Sequence, residues 1–100
     1  MTERSAEAQA EVERECRGLA LYLTQSCPFC IKVRREMERL QLPIELRDVA
    51  RHPDYRREQV EATGRGTVPC LRIADDEQDR WMYESDEIVR YLRRRFETSQ

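Results

Sequence analysis

The sequence predicts an α/β sandwich: a central four-stranded mixed sheet flanked by helices, with one further helix at the N-terminus. Three observations predict it. Leu19–Leu23 is a continuous apolar run, too short for a core helix and suited to a strand covered on both faces. From Pro28 to Phe96, segments with helical apolar spacing alternate with short strand-like runs, as in helix-connected strands. The last two strand-like runs are separated only by the polar stretch Asp75–Asp79, which suits an antiparallel hairpin.

Each element has its own local reason. Glu3–Arg17 carries helix formers, with Ala8, Val12 and Cys16 at four-residue spacing, and Gly18 ends it. In Pro28–Leu40, Cys30, Val33, Met37 and Leu40 share one helical face, and Pro28 suits a first turn where no N–H is needed. Ile44–Val49 reads as the second strand. Pro53 opens a helix that runs to Thr63 and is closed by Gly64. Thr67–Ala74 and Arg80–Glu84 read as the third and fourth strands. Ser85 is expected to cap the last helix, whose inner face holds Ile88, Val89, Leu92 and Phe96. Strands joined through helices are expected to be parallel, with right-handed crossovers. The division is a helical extension over 1–18 and one domain over 19–97, since 100 residues hold apolar material for a single core.

Composition excludes several classes. The formal net charge is −2, without the basic excess of a dedicated nucleic-acid binder. All but Lys32 of the 18 basic residues are Arg, which reads as composition bias. Met1–Gln9 is polar and acidic, so no secretory signal is expected, and no apolar run is long enough to span a bilayer. A cytoplasmic monomer, with no membrane or nucleic-acid partner, is the expectation. Of the four cysteines, Cys27 and Cys30 form a close pair, while Cys16 and Cys70 are isolated and read as packing. In a reducing compartment such a pair is more often catalytic or metal-binding than structural. Zinc requires four ligands, and His52 is the single histidine, so no metal is expected.

The chemistry lies in Cys27-Pro28-Phe29-Cys30 at the start of a helix. Unpaired N–H groups and the dipole there favour a thiolate, and C-x-x-C thiols at helix starts fall to roughly 3.5–7.5. Cys27 is expected to attack, and Cys30, a turn further in, to resolve the mixed disulfide. Pro28 and Phe29 form the supporting loop. A second signal is Gly64-Arg65-Gly66-Thr67-Val68-Pro69, in which a proline opens a strand after two glycines. Together with Ser85-Asp86 at the start of the last helix, these motifs resemble the glutaredoxin family of the thioredoxin fold, over roughly Leu19–Phe96.

The resemblance implies a cis Pro69 beside the two sulfurs. It also implies that Val68, flanked by Thr67, pairs through its backbone with the cysteinyl part of glutathione, and that Ser85 and Asp86 hold the γ-glutamyl end. Three positions depart from it. Thr24 stands where glutaredoxins usually carry Lys, Gly66 where they carry a bulky residue, and Tyr83-Glu84 where they carry Gly-Gly. At these positions the chain is similar to the N-terminal domain of glutathione S-transferases, whose Glu-Ser pair corresponds to Glu84-Ser85. Arg65, Gln59 and Lys32 are the candidates for the glycine carboxylate.

The implied activity is glutathione-dependent reduction of disulfides or protein–glutathione mixed disulfides, with glutathione as co-substrate and disulfide-containing or glutathionylated proteins as partners. Three alternatives stand beside it: a thioredoxin-like reductase, a glutathione-ligated [2Fe–2S] carrier, and a glutathione S-transferase-like domain working with a partner.

Overall fold

The computed structural model describes residues 4–74 and 77–97. Its elements are α1 (Ala6–Cys16), β1 (Leu19–Leu23), α2 (Pro28–Leu40), β2 (Glu45–Asp48), α3 (Pro53–Thr63), β3 (Cys70–Ile73), β4 (Arg80–Tyr83) and α4 (Ser85–Phe96). They form the expected four-stranded mixed sheet, in the order β2-β1-β3-β4. This is the thioredoxin-like α/β arrangement.

Strand β1 organises both layers. All five of its residues are buried, and alternation along a strand sends them to opposite faces. Leu19, Leu21 and Leu23 join Leu71 and Ile73 under α2 and α4, with Val12 and Cys16 of α1 closing the same cluster. Ala20 and Tyr22 join Val49 and Cys70 on the other face, where Tyr55 of α3 and Trp81 of β4 pack. Cys70 and Cys30 therefore lie on opposite faces of the sheet.

The helix termini follow local chemistry. Ser5 Oγ accepts from Ala8 N and caps α1, Pro28 and Pro53 occupy first-turn positions, and Gly64 closes α3 at φ 78°. No helix among the described residues is long and apolar enough to cross a membrane.

Several expectations are corrected. Of the neighbouring strands only β1 and β2 pair in parallel; β3 runs antiparallel to β1, although α3 precedes it. Residues 64–69 lie outside helix and strand, and this length of chain reverses the direction that a tight helix crossover would keep. The third strand begins at Cys70 rather than Thr67, so Thr67–Pro69 is loop. The second and fourth strands are shorter than expected, at Glu45–Asp48 and Arg80–Tyr83. Ala8 is exposed, because α1 turns only Val12 and Cys16 inward. Ser85 is the first residue of α4 and Glu84 its cap. Glu3, expected in the first helix, and Asp75 and Asp76, expected in the turn between the last two strands, lie outside the described residues.

The α2–α4 pairing matters most for the site, because α2 carries the cysteines and α4 carries Ser85. Glu36, although charged, is buried. Burial would raise its carboxyl, but Arg39 and Arg93 outweigh that and hold it below the usual carboxylate range. Arg93 Nε and Nη2 reach its two oxygens at 3.1 and 3.2 Å. Lys32 pairs with Asp86, and Arg39 Nη1 with Glu97 at 2.9 Å. These ion pairs run along the α2–α4 seam, from the exposed Lys32–Asp86 pair at the helix starts past the buried Glu36 to Arg39 and Glu97.

Candidate active site

Cys27 is the cap of α2, in extended geometry at φ −78° and ψ 122°. Its carbonyl accepts from Ile31 N at 3.0 Å, which leaves the sulfur at the open end of the helix. It is partly exposed, Cys30 is fully buried, and both are free thiols. Partial burial alone would raise the Cys27 thiol; the Cys30 N–H, the Cys30 thiol and the Phe29 N–H outweigh it, and the net shift is downward. Burial pushes the Cys30 thiol up to about 11, with Thr24 opposing and the neighbouring Cys27 sulfur reinforcing the rise. One pair of sulfurs thus holds an acidic, accessible thiol and a basic, enclosed one. That asymmetry makes Cys27 the more reactive of the two thiols at neutral pH.

The loop before Cys27 is tied to β2. Gln25 Nε2 donates to Asp48 Oδ2 at 3.2 Å, and Arg34 Nη1 donates to Gln25 Oε1 at 3.1 Å. Asp48 Oδ1 also accepts from Ala50 N and Arg51 N at 2.9 and 3.1 Å. Gln25 was not among the sequence candidates; a polar residue in a turn carries no signal of the strand end it will reach.

Beside the cysteines lies a cavity of about 290 Å³ lined by Phe29, Arg65, Thr67, Val68, Pro69, Tyr83, Glu84, Ser85 and Asp86. The structure thus brings Thr67, Val68, Pro69, Glu84, Ser85 and Asp86 together with Phe29 on one wall. Neither sulfur nor Pro28 lines this cavity; Cys27 packs at the margin of the same apolar cluster as Val68. The Val68–Pro69 peptide is cis.

Ser85 is buried at the start of α4, where free N–H groups and the dipole suit a carboxylate. Glu84 is exposed and sits at φ 73°, a conformation that costs an ordinary L-residue about 1–2 kcal/mol. Such strain is concentrated at functional sites. Asp86 is held below the usual carboxylate range by its hydrogen bond and charge pairing with Lys32.

Gln59 and Arg65 part company here. Gln59 is fully buried and faces the loop from behind, donating to Thr67 O at 2.7 Å. Arg65 lines the cavity, with its guanidinium 4.3 Å from the centre of the Tyr83 ring. Lys32 is taken up by Asp86. Gly66 has its own reason: an added Cβ would stand 3.1 Å from Arg56 Nη1 and 3.3 Å from Val60 Cγ2. Tyr83, read only as a departure at a Gly-Gly position, is a second residue that sequence reasoning missed. Cys16 and Cys70 are buried, and burial pushes both thiols up to about 11; at Cys70 hydrogen bonds with Tyr83 and Gln59 oppose the rise without cancelling it.

The family model for the glutathione S-transferase N-terminal domain matches residues 21–100. The chain belongs to this family. No curated protein matches the sequence. Among solved structures, a trimeric glutathione transferase from Leishmania is 28% identical, with TM-score 0.64, over 78% of this chain and 18% of that one. Glutathione transferase E6 from Drosophila melanogaster is 26% identical, with TM-score 0.61, over 81% of this chain and 36% of its own. A maleylacetoacetate isomerase from Anaeromyxobacter dehalogenans, solved with dicarboxyethyl glutathione and citrate, shares the fold at 22% identity and TM-score 0.61, over 80% of this chain and 37% of its own. This glutathione S-transferase N-terminal domain thus spans 18% to 37% of the length of these three structures.

Proposed function

We propose that this domain binds glutathione in the cavity between Val68 and Ser85 and uses Cys27 for glutathione-dependent reduction of disulfides and protein–glutathione mixed disulfides. The observation that carries this reading is the pairing of an accessible, acidified Cys27 with a buried Cys30 whose thiol lies near 11. The Cys27 thiolate attacks the glutathionyl sulfur of a mixed disulfide, forming Cys27–S–S–glutathione and expelling the protein thiolate, which takes a proton from water. A second glutathione thiolate then attacks the glutathionyl sulfur, releasing oxidised glutathione and regenerating the Cys27 thiolate. Alternatively Cys30, losing its proton to solvent, attacks the Cys27 sulfur, forming the Cys27–Cys30 disulfide and releasing reduced glutathione; one glutathione thiolate then opens that disulfide at Cys27 and a second releases oxidised glutathione, restoring both thiols. The enclosure of Cys30 disfavours the thiolate that this branch needs, so the one-cysteine route carries the greater flux.

In this reading the α4 start and Ser85 receive the γ-glutamyl carboxylate, Glu84 and Asp86 face its ammonium, and Arg65 faces the glycine carboxylate. Lys32 yields Asp86 to that ammonium, an exchange between exposed groups that costs little. The expected setting is the cytoplasm, with disulfide-containing or glutathionylated proteins as partners and the single chain as the working unit.

The test is incubation with oxidised glutathione followed by intact mass and peptide mapping. One glutathionyl adduct on Cys27 is expected. Adducts spread over Cys16 and Cys70, or none, would remove the proposal. Family membership favours a second reading, transfer of glutathione to an electrophile with the help of another chain. Conjugation of a model electrophile without any Cys27 adduct would establish that reading instead.

Glu84 offers an independent check. Glu84→Gly should raise unfolding stability by about 1 kcal/mol through relief of the positive φ, which is roughly 4–8 °C in a domain of this size. The same change should weaken glutathione binding several-fold, because the carboxylate that faces the ammonium is lost. Calorimetric melting and titration read the two effects separately. A loss of stability would show that the conformation is not strained.

A further inference from the structure

We infer that Gln59, on the far side of the loop from the ligand, is a positioning residue that aims the Val68 N–H at a peptide-like ligand. The inference rests on the glutathione reading for the ligand's identity, but the geometry stands apart from it. Gln59 Nε2 donates to Thr67 O at 2.7 Å, and the side chain is fully buried. The Thr67–Val68 peptide is trans, since Val68–Pro69 is the cis bond found among the described residues. In a trans peptide the C=O and the following N–H point in opposite directions. Anchoring the Thr67 carbonyl inward on α3 therefore turns the Val68 N–H outward, on the side where Thr67, Val68 and Pro69 line the cavity. The amide cannot be reversed, because its oxygen would then face a carbonyl oxygen.

Packing alone does not account for this residue. Gln59 Oε1 is buried and has no hydrogen-bond partner among the described residues, a cost that leucine of similar volume would avoid. The remainder of the loop is strapped by α3 and by Tyr83 of β4, which also lines the cavity. Tyr83 Oη donates to Thr63 Oγ1 at 2.6 Å, Arg65 N donates to the same oxygen at 3.0 Å, and Arg56 Nη1 donates to Gly66 O at 3.2 Å. These bonds hold the loop in place. Gln59, whose Nε2 also lies 3.5 Å from Tyr83 Oη, is the side chain that holds the Thr67 carbonyl among the described residues and so sets the plane of the peptide that offers its N–H. A ligand that extends the sheet edge through main-chain bonds reads that plane.

The probe is S-methylglutathione, which has no thiol to titrate, bound to wild type, Gln59→Leu and Gln59→Glu. Backbone order parameters of Gly66, Thr67 and Val68 are measured in the ligand-free proteins. Gln59→Leu should bind about tenfold more weakly, the scale of one hydrogen bond, with lowered order parameters at these three residues and an unchanged rate of Cys27 alkylation. Gln59→Glu should approach wild-type affinity at low pH, where its neutral carboxyl donates to Thr67 O. It should lose affinity as pH rises and the carboxylate repels that carbonyl. Melting temperature followed over the same pH range separates this from a structural lesion, in which affinity would fall only as far as folding does.

Wild-type affinity and order in Gln59→Leu would overturn the inference. If Gln59→Leu does not fold, pH-independent binding by Gln59→Glu overturns it instead. If wild type itself fails to bind the probe, the glutathione reading falls. The positioning role is then decided by order parameters alone, and unchanged values in both variants would end it.

Discussion

Cys27→Ser should lower turnover of a glutathionylated peptide on the order of 10⁴-fold, whereas Cys30→Ser should keep most of the wild-type rate. The difference follows from the two thiols' surroundings. Cys27 sits at the open end of α2 and is acidified by the Cys30 and Phe29 N–H groups; a serine hydroxyl there remains protonated at neutral pH and attacks no disulfide. Cys30 acts only in the resolving branch. Full activity in Cys27→Ser would refute the mechanism.

The pH dependence has a definite sign. Alkylation of Cys27 should rise about tenfold per pH unit and level off below the pH at which a free cysteine, near ~8.5, would do so. The lowered Cys27 value contributes stability that is present above the unfolded-state value and lost as pH falls through the folded one. Cys16, Cys30 and Cys70, each pushed up to about 11, act in the opposite sense. Their contribution is complete below the unfolded-state thiol value and is lost as pH rises towards 11. Alkaline destabilisation of the reduced protein should therefore survive in Cys27→Ser.

Leu21→Ala should cost roughly 3 kcal/mol, within the 2–5 kcal/mol typical of a fully buried leucine. Leu21 is completely enclosed, and its strand lies between β2 and β3, opposite Leu46 on one side and Leu71 on the other. It packs in the cluster that joins α2 and α4 to the sheet, so a void there loosens the mounting of both Cys27 and Ser85. Against a total of about 5–15 kcal/mol for a domain, the urea midpoint should fall steeply with an unchanged slope. A shift below 1 kcal/mol would mean that the cluster collapses around the gap.

Legibility followed the range of the forces involved. The pattern of α2, with Cys30, Val33, Met37 and Leu40 on one face, is local and matches the buried set, as does that of α4. The run Leu19–Leu23 announced a strand covered on both sides, and it is one. The end of the helix–strand alternation was harder. Whether Thr67 belongs to β3 depends on what stands across from it, and Gln59, eight residues earlier, claims its carbonyl. The antiparallel course of β3 likewise depends on how the 64–69 stretch carries the chain back to β1.

The site divides in the same way. By itself the sequence determined the order of helices and strands, the pairing of Cys27 with Cys30 at a helix start, and the residues of the loop and of the α4 start, because these rest on spacing, capping and turn chemistry within a few residues. Tertiary structure alone decided that Gln59 supports the loop from behind while Arg65 lies on the Tyr83 ring, that Asp86 is engaged by Lys32, and that Cys70 faces away from Cys30. Each of these turns on which buried groups meet across the fold, and hydrogen bonding and desolvation between residues distant in sequence leave no periodic mark on the chain.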